Sequence, residues 1–237
     1  MIICGIDIGI KNLALCIIDT DLYNPSSFGT MIIYWKSLNI LPNDHLCSAT
    51  KKSGIQCVRK AKYLHHSNYF CGTHKPNNAS VYTPKKLNSY TSNQILELCF
   101  EHLYKQHYFD TYTIDAIVIE LQPTFNFKMR FLSHGIHSFF MLESIRYNKK
   151  IKHVSYSHAK NKMKVLKWFK FSFHSSKKRK YDQTKEASIE CVKYLLQSNA
   201  NTMLNDFLIH TKQDDLADAF LHSLYFAIQK KYISIPV

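Results

Sequence analysis

The N-terminal run at residues 2–12 constrains the fold of this chain more than any other stretch. Its apolar residues predict a β-strand that carries a single acid, and the period of two places Asp7 on one face with Gly5 and Gly9. A carboxylate buried in a strand is costly without a partner, so Asp7 needs a cation or hydrogen-bond donors. The two glycines keep bulky side chains off that face, so a metal ion or a phosphate can approach the backbone closely. Taken alone, the run also fits an acid at a strand end beside a turn.

Composition narrows the range of partners. The 237 residues include 31 Lys+Arg and 17 Asp+Glu, a formal net charge of +14, which favours a polyanion over the competing explanation, an acidic membrane surface. No apolar run reaches the roughly 18 residues of a membrane span, and the apolar start lacks the basic region of a signal peptide. Seven cysteines, an odd number, suit a reducing compartment and a metal site better than disulfides. We therefore expect an intracellular protein that binds a polyanion and no membrane.

Further strands are predicted in two places. Residues 13–19 and 30–35 follow the first strand through short connections, which indicates an antiparallel meander. Residues 114–120 are apolar almost throughout, as in a strand covered on both faces, and end in Glu120. The C-terminal end of such a strand is where open α/β sheets bind ligands. In isolation, Glu120 also fits a solvated strand end.

The last predicted helix carries a cluster of acids. Apolar periodicity predicts helices at residues 93–106, 130–147, 184–197 and from 212 onward, with a short strand at 151–155. On the last helix, Asp215 and Asp218 are three residues apart, and Asp214 lies four before Asp218, so these acids share adjoining faces. Like charges at this spacing destabilise a helix, and Asp218 lies too deep to gain fully from the helix dipole. A bound divalent cation is the natural compensation.

A polar segment at residues 42–84 interrupts the apolar pattern and contains a set of metal-ligand residues. Cys47, Cys57, Cys71 and His74 make a complete tetrahedral zinc set, and the last two have the spacing of a tight metal knuckle. His65 and His66 are alternative donors, which leaves the fourth ligand open. A surface loop with chance cysteines is the other explanation, but so long a polar segment without a core needs a staple to fold.

Basic residues predict where nucleic acid would be contacted. The densest run spans residues 177–180, for which a solvated loop or a nuclear-localisation-like signal is the alternative, and the net charge favours phosphate contact. The complete set of expected contacts is Lys51, Lys52, Arg59, Lys60, Arg130, Lys160, Lys162, Lys177, Lys178, Arg179 and Lys180. Lys160 or Lys162 would neutralise the phosphate that is cut.

Three motifs in this order resemble those of the RuvC-like Holliday junction resolvases, most closely those of poxviruses and related large DNA viruses. They are G-I-D-I-G-I-K-N in the first strand, I-V-I-E-L-Q-P in a later strand and D-D-L-A-D-A-F-L in the last helix. The resemblance implies a ribonuclease H-like α/β fold, with a mixed five-stranded sheet flanked by helices. Residues 1–41 and 85–237 would form this nuclease core, and residues 42–84 a zinc-binding insertion.

The resemblance also implies an activity and a set of catalytic carboxylates. Carried over to this sequence, these are Asp7, Glu120, Asp215 and Asp218, while Asp214 has no assigned role. They would hold two Mg²⁺ or Mn²⁺ ions, since hard cations prefer oxygen ligands, and Zn²⁺ would be structural. The implied reaction is paired nicking of four-way and other branched DNA by a homodimer, leaving 5′-phosphates. A viral protein of this kind would act in the host cytoplasm or nucleus.

Other classes of protein compete with this interpretation. Another ribonuclease H-like nuclease, acting on an RNA–DNA hybrid or a flap, would share the metal chemistry. A non-catalytic zinc protein that binds nucleic acid explains the charge and the cysteines, but not the acids on two apolar strands and a packed helix. Actin-like ATPases and sugar kinases also begin with Asp-x-Gly, but they need further glycine-rich loops, and this chain has only 6 Gly.

Overall fold

The structure is a computed structural model that describes residues 1–41, 45–105, 111–146, 151–197 and 202–235. The chain forms two compact units. The core unit comprises Met1–Ile40 and Ser92–Val237, and the insert unit is Leu41–Thr91. The domain boundary predicted at residue 42 lies outside the described residues. No helix among the described residues is long and apolar enough to cross a membrane.

Within the described residues, eight strands form two sheets. In chain order they are β1 (Ile2–Ile8), β2 (Asn12–Asp19), β3 (Ile32–Asn39), β4 (Tyr63–His65), β5 (Asn68–Phe70), β6 (Ser80–Val81), β7 (Ala116–Leu121) and β8 (His153–His158). The larger sheet has the order β3-β2-β1-β7-β8. Strands β1, β2 and β3 are antiparallel neighbours, whereas β7 pairs parallel to β1 and β8 parallel to β7. The predicted meander and the mixed five-stranded sheet are thus confirmed.

The described part of the chain contributes six α-helices around this sheet. They are α1 (Ser92–Lys105), α2 (Phe127–Arg146), α3 (Lys160–Trp168), α4 (Lys180–Leu196), α5 (Thr202–Ile209) and α6 (Gln213–Gln229). The four predicted helices are present, although their predicted ends at residues 106 and 147 lie outside the described residues. The short helices α3 and α5 were not predicted, because eight or nine residues span too few turns for a periodic pattern.

The predicted strand at residues 30–35 is partly wrong. Residues Phe28–Met31 form a turn of 3₁₀ helix, and the strand begins only at Ile32. Phe28 and Met31 are nevertheless buried in the same apolar cluster as the strand residues. A run of apolar residues reports this burial, but over so few positions it does not distinguish a tight helical turn from a strand.

Helix α6 is the central element of the core unit. All twelve side chains from Leu216 to Ala227 are buried, so this helix is covered on all sides, as a core helix must be. It packs on β1 and β2. Trp35 of β3 stacks on Phe207 with ring centroids 5.0 Å apart and donates its indole N–H to the carbonyl of Leu216.

Gly5 allows α6 to lie directly on strand β1. A Cβ atom at this position would lie 2.2 Å from the carbonyl oxygen of Ala219 and 2.2 Å from the hydroxyl of Ser223. The sequence predicted that the glycine face of β1 allows a close approach to the backbone. At Gly5 the group that makes this approach is helix α6. Because Asp7 points to the same face two residues further along, it meets the N-terminal half of α6.

The insert unit has little apolar material. Strands β4, β5 and β6 form a three-stranded sheet, and Cys47, Cys57 and Cys71 are its buried cluster, with Ala49 and Phe70 packed against them. A hairpin precedes this sheet, closed by a bridge between Thr50 and Gln56 and turned at Gly54, which has a positive φ of 77°.

Candidate active site and metal centre

The strand register brings two of the predicted acids together. Ile6 of β1 lies opposite Ile119 of β7, so Asp7 and Glu120 follow at the same level of two parallel neighbours. Glu120 in turn lies opposite Ser157 of β8. These three side chains form a row at the C-terminal ends of three adjacent strands, and α6 brings Asp218 to it. The acid cluster consists of Asp7, Glu120 and Asp218.

A lysine lies within this cluster. The Lys162 ammonium donates to Asp218 Oδ2 and lies 3.9 Å from Glu120 Oε1, with only 8% of its side chain exposed. Asp7 shares a hydrogen bond with Glu120, and Gln122 Nε2 donates to Glu120 Oε2 over 3.2 Å. Lys162, predicted to contact nucleic acid, thus comes from α3 to act as a counter-ion for the cluster.

Burial and mutual repulsion separate the pKa values of the acids. Burial, together with the charges of Glu120 and Asp218, raises the pKa of Asp7 well above its usual value. Burial also acts on Glu120, but the His222 ring and the Lys162 ammonium outweigh it and lower the pKa of Glu120 to about 2. Asp7 therefore holds its proton to a higher pH than a free aspartate does, and in the protonated form it donates to the ionised Glu120.

Asp215 and Asp214 lie outside the acid cluster. Asp215 accepts a hydrogen bond from Asn12 Nδ2 at 3.4 Å, and burial, followed by the neighbouring charge of Asp214, raises its pKa. Asp214 forms an ion pair with Lys185 of α4, which more than offsets the effect of burial and lowers the pKa of Asp214. Asp214, whose role the sequence left open, thus ties α6 to α4.

The acid cluster fits hard divalent cations. Its donors are carboxylate oxygens, the ligands that Mg²⁺ and Mn²⁺ prefer. Asp218 Oδ1 is buried and has no hydrogen-bond partner among the described residues, a costly state for a carboxylate oxygen. A cation at this oxygen would satisfy it and would replace the positive charge that Lys162 supplies to the same carboxylate.

The remaining basic residues predicted to contact nucleic acid differ in their availability. Lys51, Lys52, Arg59 and Lys60 of the insert unit are exposed, as are Lys160 and the run at residues 177–180. Within that run Arg179 pairs with Asp182, with its Nε 2.7 Å from Oδ2, so part of its charge is neutralised. Arg130 on α2 is half-buried.

The insert unit brings together the four predicted zinc ligands. The ligand atoms of Cys47, Cys57, Cys71 and His74 all lie within 4.8 Å of one another, with His74 Nδ1 3.4 Å from the Cys47 sulfur and 3.5 Å from that of Cys71. A tetrahedral zinc ion with ordinary bond lengths needs ligand separations of about 3.6–3.8 Å. His65 and His66, the alternative donors, are not part of this Cys3His cluster.

The turn formed by residues 71–74 favours the thiolate form of Cys71. Although burial acts to raise its pKa, the backbone N–H groups of His74 and Thr73 point at the sulfur and lower the pKa of Cys71 to about 6. The thiolate is the form that ligates a metal. The residues present therefore fit a four-ligand structural zinc site.

Sequence reasoning missed several residues around the acids. Asn12 reaches Asp215, Gln122 holds Glu120, and Ser157 contacts His222, which faces Glu120. A signal was present for two of them, because Gln122 lies two residues after Glu120 and His222 lies one helical turn after Asp218. The position of Ser157 depends on the register of β8, which no local pattern indicates.

Comparison with known proteins gives one sequence relative. No family model matches the sequence. The chain is 29% identical over 204 residues to an uncharacterized protein of Acanthamoeba polyphaga mimivirus, a match that covers 77% of this chain and 49% of that protein. The chain thus spans about half the length of this curated relative.

Solved structures identify the fold. The structure matches the yeast mitochondrial Holliday junction resolvase with a TM-score of 0.52 and 14% identity, over 97% of this chain and 80% of that one. Thermus thermophilus RuvC with a Holliday junction substrate scores 0.49 at 10% identity, over 98% and 96% of the two chains. Fowlpox virus resolvase with junction DNA scores 0.46 at 16% identity, over 97% and 99%.

The class of protein is therefore defined at the level of the fold. The mixed five-stranded sheet, the helices around it and the likeness to the yeast resolvase give this chain a RuvC-like, ribonuclease H-like fold. The resemblance drawn from the three sequence motifs is confirmed at this level. The particular feature of this chain is a Cys3His cluster in an insert unit between β3 and α1.

Proposed function

We propose that the protein is a metal-dependent endonuclease that cuts four-way and other branched DNA. The observation that carries this proposal is the acid cluster, in which carboxylates from two adjacent strand ends and one buried helix meet at the ligand-binding edge of the sheet. The yeast relative in fold is a Holliday junction resolvase, and the net charge of +14 favours a DNA partner.

The residues of the site have separate tasks in this mechanism. Asp7, Glu120 and Asp218 would hold Mg²⁺ or Mn²⁺, and Asp215 would complete the ligand set from the first turn of α6. Two such ions would supply an activated water and stabilisation of the leaving oxygen for phosphodiester hydrolysis, with 5′-phosphate products. Asp7 would serve as a ligand in its ionised form. Lys162 would donate to a phosphate oxygen once a cation takes its place at Asp218.

The other proposed components are zinc, the DNA-binding surface and a partner copy. The Cys3His cluster holds Zn²⁺ as a structural ion, since four protein ligands leave no open position. The exposed lysines and arginines of both units neutralise DNA phosphates. A four-way junction is close to two-fold symmetric, so a homodimer would present one acid cluster to each of two opposing strands for paired nicking.

One observation favours a non-catalytic alternative. Lys162 already neutralises part of the acid cluster, and a buried cluster of this kind also fits a purely structural ion-pair network. The two accounts differ in what the acids require, because a structural network is complete without divalent cations, whereas a nuclease site is not.

The test is cleavage of defined DNA by the pure protein. Synthetic four-way junctions, Y-shaped DNA, linear duplex and RNA–DNA hybrid are incubated with Mg²⁺ or Mn²⁺, and the products are sized on denaturing gels. We expect cleavage of the four-way junction, with Asp7→Asn slower by roughly 100-fold or more because metal ligands supply several kcal/mol of transition-state stabilisation. Asp214→Asn is the matched control, because it makes the same substitution at an acid of α6 that pairs with Lys185 outside the cluster.

Each alternative predicts a distinct result. Preferential cutting of the RNA–DNA hybrid would identify another nuclease of this fold. Tight junction binding without cleavage under any metal would favour the non-catalytic protein. Light scattering of the protein–junction complex gives the copy number, and a single copy would contradict the dimer.

A further inference from the structure

His222 is a buried histidine that the proposed chemistry does not use. It lies four residues after Asp218 on α6 and is 0% exposed. Its Nδ1 is 2.9 Å from the hydroxyl of Ser157, and its Nε2 is 3.6 Å from Glu120 Oε1. The ring therefore bridges two neighbouring residues of the row that ends β7 and β8.

The groups on the two sides of the His222 ring favour a proton on Nε2. The amide nitrogen of Asn161 donates to the Ser157 hydroxyl over 3.3 Å. Since an amide nitrogen can only donate, the hydroxyl oxygen accepts this bond, and it can donate its own proton to His222 Nδ1. The other ring nitrogen, Nε2, lies 3.6 Å from the Glu120 carboxylate, and this acceptor favours a proton on Nε2. The tautomer of a histidine is set in this way by the bond that its other nitrogen makes.

His222 Nε2 faces one oxygen of the Glu120 carboxylate, and Gln122 donates to the other oxygen. His222 Nε2 is buried and has no hydrogen-bond partner within the described residues, and leaving a buried donor unpaired is costly. Glu120 Oε1 lies just beyond hydrogen-bond distance, while Glu120 Oε2 accepts from Gln122 over 3.2 Å. The two neighbours approach different oxygens of the Glu120 carboxylate, while Asp7 and Lys162 contact the same carboxylate from the side of the acid cluster. A cation bound by Glu120 would take the place of these last two contacts.

We propose that His222, oriented by Ser157 and Asn161, is a positioning residue that holds Glu120 in the orientation required for divalent metal binding. This inference deepens the proposed nuclease function and rests on it. In this role His222 acts through Glu120 and is not itself a metal ligand. Residues that orient metal ligands typically contribute 10–100-fold to metal affinity or activity.

Metal binding is measured on the full-length protein from its melting temperature across a Mg²⁺ titration, and cleavage of a four-way junction is followed in parallel. Mg²⁺ avoids the thiolates of the insert unit, since hard cations prefer oxygen. Asp7→Asn gives the background that is independent of the acid cluster. His222→Leu removes the donor at similar size, and His222→Gln returns an N–H group near the position of Nε2.

We expect His222→Leu to raise the half-saturating Mg²⁺ concentration by about 10-fold or more, and His222→Gln to recover most of that loss. Ser157→Ala should raise it by a smaller factor, because the ring loses the bond that sets its proton. The matched control is Ser188→Ala, which removes a fully buried hydroxyl in α4 without a partner among the described residues and should leave the titration unchanged.

Several results would overturn the inference. One is a half-saturating Mg²⁺ concentration in His222→Leu within twofold of that of the parent. Another is an equal loss of Mg²⁺ affinity in His222→Leu and His222→Gln, which would indicate that the ring acts only through its packing. If His222→Leu does not fold, the proposal is tested by comparing the Mg²⁺ titrations of Ser157→Ala and Ser188→Ala. Identical titrations of these two variants would contradict it. A parent that binds Mg²⁺ through Asp7 but cuts no junction would refute the nuclease while the titrations still decide the role of His222. A parent without Asp7-dependent Mg²⁺ binding would refute both.

Discussion

At the scale of single residues, the acid cluster is balanced by groups that must rearrange for metal to bind. The raised pKa of Asp7 favours its uncharged form, and the Lys162 ammonium lies close to both Glu120 and Asp218. Both reduce the repulsion among the acids, as buried charges require. These two features lower the free-energy cost of burying the acids without a metal ion. They also make the charge of Asp7 depend on pH.

We expect Asp7→Asn to stabilise the metal-free protein while it abolishes cleavage. The pKa of Asp7 is raised in the folded state by burial and by Glu120 and Asp218, so the folded protein binds more protons than the unfolded one above an unfolded pKa of about 3.9. Stability is therefore lost as pH rises through the folded pKa, and asparagine escapes that loss. Melting curves from pH 4 to pH 8 without divalent cations should show a gap in favour of the variant that grows with pH.

Asp214→Asn provides the control of opposite sign. The Lys185 ion pair lowers the pKa of Asp214 despite its burial, so this carboxylate stabilises the protein above its unfolded pKa, and the contribution is lost as pH falls through the folded pKa. The variant should melt below the parent at neutral pH, with the difference fading in acid. A constant gap for Asp7→Asn at every pH would contradict the assigned protonation.

At the scale of elements, the site depends on how closely α6 approaches β1. A Cβ at Gly5 would lie 2.2 Å from a backbone oxygen of this helix, which cannot be relieved by a side-chain rotation. We expect Gly5→Ala to lower the free energy of unfolding by about 1–3 kcal/mol, the usual cost of overpacking a core. It should also weaken Mg²⁺ binding, since α6 carries Asp218. Denaturant unfolding measures the first effect and the Mg²⁺ titration the second.

A glycine in open space serves as the comparison. A Cβ at Gly72 in the insert unit would meet nothing within 4 Å, so Gly72→Ala should leave both measurements unchanged. A Gly5→Ala protein that is as stable as the parent would show that α6 can shift away from β1 without cost, and the argument that Gly5 positions the acids would then be wrong.

The three acids of the cluster are predictable from the sequence, whereas the positions of Lys162 and Ser157 are not. Asp7 and Glu120 each end a strongly apolar strand, so their meeting at one sheet edge follows from parallel pairing alone. Asp218 is recognisable from its place on a helix of uncompensated acids. The position of Lys162 cannot be recognised from the sequence, because α3 is too short for a periodic pattern and its lysines resemble surface residues. The position of Ser157 beside Glu120 depends on the register between β7 and β8, which only the structure shows.

The hairpin of the insert unit is the element best placed to present charge. Lys51 and Lys52 lie exposed near its turn, and the thiols of Cys47 and Cys57 lie at its base. A metal at these thiols would hold the hairpin rigid. We expect Lys51→Ser with Lys52→Ser to weaken junction binding and to reduce the slope of log affinity against log salt by up to about 2, one unit per lost phosphate contact. Cleavage at saturating protein should change little.

The control for this pair removes the same charge elsewhere. Lys105 and Lys193 are surface lysines of the core unit that each pair with a glutamate, and replacing both by serine should leave the slope almost unchanged. Equal effects of the two double variants would mean that net charge alone governs binding. No effect of the hairpin variant would remove the hairpin from the DNA-binding surface.

At the scale of the whole molecule, the two units are stabilised by different means. The core unit buries a large apolar cluster around α6, whereas the insert unit buries three cysteines with little else. Residues 41–91 hold eight basic residues and one acid, so their net charge of +7 is half of the chain's +14. With so much self-repulsion and so small a core, this unit would depend on a metal ion at the Cys3His cluster to remain folded.

We therefore expect loss of zinc to unfold the insert unit and to spare the core unit. Cys71→Ser removes the thiol with the lowered pKa and should abolish the zinc found by elemental analysis. Limited trypsin digestion should then cut between residues 41 and 91, while the core unit stays resistant and keeps its Asp7-dependent response to Mg²⁺. His65→Gln is the control, since this histidine lies in the same unit outside the Cys3His cluster, and it should keep full zinc content and protection. A zinc-free Cys71→Ser protein with an uncut insert unit would show that the unit folds without metal. Digestion of both units together would show that the core depends on zinc as well, against the separate cores that the structure describes.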